Sequence, residues 1–185
     1  MLTCCYAGAS VVYSSKHSNE SGDFGLRKSF FSPKGLALSA AIAAVYAVLT
    51  YVLAPISYGP VQFRVAEALT LLPILMPQAV PGLFLGCLLA NLLGGYGAAD
   101  VVFGSLATLA AAILTYRLRK NRYIAALPPI IVNAVVVGIM LHVVAGFELW
   151  ATMGYVALGQ AGAVYVLGLP LLKAVEKIDL DRISS

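Results

Sequence analysis

Residues 36–54, LALSAAIAAVYAVLTYVLA, run without a charge for about the length a helix needs to cross the hydrocarbon core of a bilayer. Backbone groups in lipid have no water to turn to, so such a run folds as a helix that satisfies its own N–H and C=O groups. Similar apolar runs recur at roughly 78–95, 99–117, 123–145 and 150–172. The stretch VQFRVAEALTLLPILM before Pro77 is shorter, spanning only ~24 Å at 1.5 Å per residue, and reads as short or locally distorted. Six helices result. The composition agrees, since 61% of the 185 residues are hydrophobic and only 11% are charged. A soluble domain of ordinary make-up carries about a quarter charged residues.

The chain divides into an N-terminal extension, 1–31, a membrane domain, 32–177, and a short C-terminal tail, 178–185. SSKHSNESGDFGLRKS is too polar to bury anything and reads as disordered. No positive charge precedes the mildly apolar start, which argues against a secretory signal peptide. Ser32 followed by Pro33 forms a helix start, with the serine as N-cap and the proline at the first helical position.

Lys and Arg fix the orientation. With six helices, the N-terminus, the loop RLRKNR and the C-terminus share one side, and every Lys and Arg except Arg64 falls there. The outward loops APISYGP, GGYGAAD and AGFELW carry none. The positive-inside rule then makes both termini cytoplasmic in a multi-pass plasma-membrane protein. The net charge of +4 is a topology signal and calls for no nucleic-acid partner.

Little in the sequence points to catalysis. Cys4, Cys5 and Cys87 build no disulfide framework or metal site, His142 reads as a packing residue, and no Walker A, HExxH or GxSxG motif occurs. The expectation is a non-enzyme without cofactors.

Polar residues at membrane depth carry the functional signal. Arg64 and Glu67 are three residues apart on one helix, with Gln62 beside them. Asn91, Asp100 and Glu148 fall near the outward ends of later segments, whereas Asn133 and Gln160 lie deeper. The two deeper amides read equally well as interhelical glue. Ionisable groups in lipid are costly and generally line a cavity. Glu67, Asp100 and Glu148 against Arg64 leave an outward site with excess negative charge, suited to a cationic ligand. Tyr58, Tyr96 and Trp150 in the outward loops fit two roles, an interfacial belt or a stacking surface for a planar ligand.

Small residues mark helix contacts. Gly82, Gly86 and Ala90 recur every fourth residue, as internal close packing requires. Ala37, Ala40, Ala41, Ala44 and Ala47 give the first helix more small positions than one internal contact needs, so this face is expected to dock another membrane protein.

APISYGPVQFRVAEALTLLP, PGLFLGCLLANLLGG and DVVFGSLATLAAA together resemble the QueT family, substrate-binding S components of energy-coupling factor (ECF) transporters, over about residues 34–177. The resemblance implies a six-helix bundle that captures a queuosine precursor, a 7-deazaguanine base bearing an aminomethyl group. It also implies docking of the first helix on a membrane coupling protein that works with two ATPases. An S component for another vitamin or base, and a self-sufficient secondary transporter, are the alternatives.

Overall fold

The computed structural model describes residues 32–57, 63–95 and 97–177. The N-terminal extension, Tyr58, Gln62, Tyr96 and the C-terminal tail lie outside the described residues. Within them the chain is all helix, with no strand. Helix α1 is Pro33–Val52 and α2 the single turn Ala54–Ser57. Helix α3 is Val65–Ile74, α4 is Ala79–Gly94 and α5 is Asp100–Arg117. Helix α6 is Arg122–Ala145, and α7 is Leu149–Glu176. Four of these, α1, α5, α6 and α7, are long and apolar enough to cross a membrane, and α3 and α4 are shorter apolar helices.

Helix α1 starts as its sequence dictates: the Ser32 hydroxyl accepts the Gly35 N–H at 3.0 Å, with Pro33 at the first helical position. Its inner face lies on α4. A Cβ added to Gly82 would stand 2.7 Å from the Ser39 carbonyl oxygen, and one on Gly86 would stand 2.8 Å from that of Ala43. Only glycine permits so close an approach. Ser39 against Gly82 and Ala43 against Gly86 make the two helices parallel, as the first and third segments of a serpentine bundle should be. At the far end of the chain, Arg122 of α6 pairs with Glu176 of α7 at 3.0 Å, bringing two of the basic, inward-read segments together.

The short second segment is distorted in a specific way. Helix α3 is a 3₁₀ helix over ten residues. At about 2.0 Å rise per residue it reaches ~20 Å where an α-helix would reach ~15 Å. Pro73 inside it has no N–H to give to an α-helical bond. Two further irregularities face it. Helix α5 opens with a π-helical stretch, Asp100–Gly104, and α7 contains another, Gly162–Gly168. Non-standard helix at membrane depth is tolerated where it is buried in protein or lines a cavity, and π-helical turns gather at functional sites.

Candidate functional site

The 3₁₀ geometry of α3 decides what its charges can do. At three residues per turn, side chains three apart eclipse one another, so Arg64, Glu67 and Thr70 form one column. All three are buried, Glu67 to 0% exposure. Around that column stand α1, α5, α6 and α7.

Tyr46 of α1 donates its hydroxyl to Glu67 Oε1 at 2.7 Å. The second carboxyl oxygen, Oε2, has no hydrogen-bond partner among the described residues. The side-chain amide of Asn133 on α6 also acts on this carboxyl, and the Arg64 guanidinium acts on it electrostatically. Arg64 turns elsewhere: its Nε donates to the Ser57 carbonyl at 3.4 Å and its Nη2 lies 4.0 Å from Asp100 Oδ1. Arg64 bridges α3 to the π-helical start of α5, and Tyr46 orients Glu67.

Further buried polar atoms, Asp100 Oδ1, Ser105 Oγ and Gln160 Oε1, close no hydrogen bond among the described residues. Phe63 packs on α7 at Gly162, where an added Cβ would meet the ring edge at 2.9 Å. Gly138 of α6 sits against Met153 of α7, so the antiparallel crossing carries Asn133 and Gln160 to about the same level. A buried polar group left unpaired costs about 1–3 kcal/mol. Two such oxygens, Glu67 Oε2 and Asp100 Oδ1, belong to the carboxyl groups that interact with Arg64.

The remaining expected residues take other positions. Asn91 is buried and ties α4 to α5, its Nδ2 donating to the Asp100 carbonyl at 2.8 Å. Glu148 must be corrected. It is exposed and caps α7, its Oε2 accepting the Ala151 N–H at 2.6 Å, because a carboxylate before the first turn satisfies a helix N-terminus. It does not join Glu67. Trp150 is 76% exposed on the outside of α7, positioned for the belt and not for stacking over the cluster. On α1, Ala37, Ala40, Ala41 and Ala44 are exposed along one face, but Ala47 is buried in the core with Tyr46 and Leu83. Ala47 therefore packs the fold and leaves the docking face.

Sequence reasoning missed Tyr46, Phe63 and Ser105, and left Asn133 and Gln160 undecided. Glue residues close hydrogen bonds, as Ser39 does with the Gln78 carbonyl at 2.8 Å. Gln160 Oε1 closes none among the described residues.

The family model described as QueT transporter matches residues 36–177. The chain belongs to the QueT transporter family. A curated relative, the queuosine precursor transporter QueT of Lactococcus lactis subsp. cremoris (strain MG1363), is 28% identical over 159 residues, covering 77% of this chain and 93% of the relative. No solved structure matches. The matched segment contains all of α3 to α7 and with them the whole polar cluster. Membership of this family makes the chain a membrane transporter protein, in agreement with its apolar helices.

Proposed function

We propose that the chain is the substrate-binding S component of an ECF-type importer, and that the cluster around Glu67 captures a queuosine precursor from the outer side. The observation that carries this reading is the pair of buried carboxyl groups, Glu67 and Asp100, that interact with Arg64 and each keep an oxygen without a hydrogen bond among the described residues, in a family whose curated relative is named for queuosine precursors. Glu67 and Asp100 against Arg64 leave a formal excess of one negative charge once Glu148 is set aside. A base with one protonated aminomethyl group supplies the matching positive charge.

The two carboxylates divide the work by position. Asp100 is the more exposed, with 12% of its side chain accessible, and its carboxylate, which pairs only loosely with Arg64 at 4.0 Å, receives the ammonium group in a charge-assisted hydrogen bond. Glu67 lies deeper and presents Oε2 to the ring N–H and amino donors of the guanine-like edge. Phe63, held against Gly162, provides an aromatic ring beside the bicyclic base. Arg64 keeps the two carboxylates apart in role by holding the start of α5 to α3.

In this reading all six apolar helices cross the membrane, the termini are cytoplasmic, and capture precedes ATP-driven uptake by partner subunits. The exposed column Ala37, Ala40, Ala41 and Ala44 docks α1 on the coupling protein, where small side chains let backbones approach. Replacing Ala40 and Ala44 together by leucine should block co-purification with the coupling and ATPase subunits while ligand affinity stays within about twofold. The test of the whole reading is reconstitution. The isolated chain in liposomes should bind 7-aminomethyl-7-deazaguanine without concentrating it, and ATP should drive uptake only with the partners present. Concentrative uptake by the isolated chain would overturn the S-component assignment in favour of a self-sufficient transporter.

A further inference from the structure

The backbone under Asp100 is held by a side chain from the neighbouring helix. Helices α4 and α5 run antiparallel, with Cys87 opposite Thr108 and, four residues along, Asn91 opposite Gly104. At the first pair the Thr108 hydroxyl proton is shared between Cys87 Sγ at 3.3 Å and the Gly104 carbonyl at 3.1 Å. At the second pair the buried Asn91 amide crosses the seam. Its Nδ2 donates to the Asp100 carbonyl at 2.8 Å and reaches Cys87 Sγ at 3.5 Å, for which the amide's two N–H groups suffice.

That carbonyl belongs to the π-helical stretch Asp100–Gly104. A π turn closes between residues five apart where an α turn closes at four, and it is the rarer form. Expelling the extra residue would turn everything before it by about 100° and shift it ~1.5 Å along the axis. Asp100 is the first residue of the stretch, so its carboxylate would swing away from Arg64 Nη2, which stands 4.0 Å from Oδ1. Gly104 ends the stretch and leaves the space that Asn91 uses. A Cβ added there would stand 2.9 Å from Asn91 Nδ2, and outside α5 only Asn91 comes within 4 Å of that position among the described residues.

We propose that Asn91 is a positioning residue. Its amide, seated in the gap at Gly104, keeps the start of α5 π-helical and so aims the Asp100 carboxylate at the ligand's ammonium group. Asn91 itself touches no ligand. This assignment rests on the reading of Asp100 as the cation's partner and names what sets the direction of that carboxylate.

The test is titration of 7-aminomethyl-7-deazaguanine and its uncharged nitrile counterpart into the full chain in nanodiscs. Asn91→Leu keeps the bulk of the side chain and removes the donor. Gly104→Ala keeps Asn91 but displaces its amide, the flexible end of that side chain. Each variant should lose at least about tenfold in affinity for the amine and stay within about threefold for the nitrile, because a charge-assisted hydrogen bond depends on its geometry. A folding defect would weaken the two ligands together. In an Asn91→Ala background, Gly104→Ala should cost less than about twofold more, since the group its Cβ displaces is already gone. If the wild type shows no preference for the amine, or Asp100→Asn keeps that preference, the cation reading falls and this assignment with it. If Asp100→Asn abolishes the preference while either Asn91→Leu or Gly104→Ala keeps it, the assignment alone is overturned. It is equally overturned if both variants weaken the two ligands alike, or if Gly104→Ala costs as much without the Asn91 amide as with it.

Discussion

Tyr46 belongs to two regions at once, and they are built on opposite rules. Its Cβ lies against Gly86 in the α1–α4 contact, where an added glycine Cβ would stand 2.8 Å away, and its hydroxyl reaches Glu67. On the α4 side the packing is close and the polar side chains are spent. The single Ser39 hydroxyl proton is shared between the Gly35 and Gln78 carbonyls, and Thr50 donates to the Tyr46 carbonyl. On the α3 side the helix is 3₁₀, its neighbours contain π-helical stretches, and the carboxyl oxygens Glu67 Oε2 and Asp100 Oδ1 close no hydrogen bond among the described residues. The first region obeys the rule that buried polar groups find partners. The second breaks it at two carboxyl oxygens beside one arginine, and the proposed ligand would supply the missing partners.

This contrast predicts that mutations on the two sides of Tyr46 separate stability from binding. The largest effect falls on the packed side. Gly86→Leu forces a side chain into the Ala43 backbone, which cannot give way, and should cost at least about 3 kcal/mol and most of the folded protein. Size-exclusion profiles and thermal melts in detergent measure it. A wild-type melting temperature for this variant would show that close approach is not what holds α1 to α4.

Glu67→Gln comes next and acts in the reverse sense. Glutamine can still accept from Tyr46 but removes the charge, so affinity for the aminomethyl base should fall by about 2–5 kcal/mol, roughly thirtyfold to several thousandfold. Thermal stability of the ligand-free protein should hold or rise, because an ionisable group at membrane depth is costly. A variant that loses stability and keeps affinity would turn Glu67 into structural glue.

Tyr46→Phe is the intermediate case. The ring keeps its place on Gly86 while the 2.7 Å bond to Glu67 is lost. Affinity should drop about tenfold through a misoriented carboxylate, with a smaller change in melting temperature. Glu148→Gln should have the smallest effect on binding, under about twofold by titration. Its cost should fall on the α7 N-terminus, at about 0.5–1 kcal/mol of stability.

Hydropathy made much of the fold legible before any coordinates. The runs expected at 78–95, 99–117 and 123–145 match α4, α5 and α6 to within a residue or so, and the Ser32 cap is where the sequence puts it. The short Val65–Ile74 segment was recognisable as distorted. Its 3₁₀ form was not, because an all-apolar helix has no polar face whose period could report its pitch. The π-helical stretches were hidden for the same reason. Within the site, Arg64, Glu67 and Asp100 were legible since charges in lipid demand a reason. Asn133 was not, because an amide serves as glue or ligand group equally well until its hydrogen bonds are counted. Glu148 misled because a helix-capping carboxylate and a pocket carboxylate look alike in a linear string. Ala43 and Ala47 against Ala40 and Ala44 show the same ambiguity among small residues, resolved only by which face meets α4.

The central claim is that the cluster around Arg64 binds a cationic deazaguanine through its carboxylates. The most direct measurement is isothermal titration of 7-aminomethyl-7-deazaguanine and its uncharged nitrile counterpart into the wild type and Asp100→Asn. The wild type should favour the amine by at least about thirtyfold, and the variant should bring the two ligands within about threefold of each other. An Asp100→Asn protein that still favours the amine as strongly as the wild type would contradict the account and move the cation's partner away from this cluster.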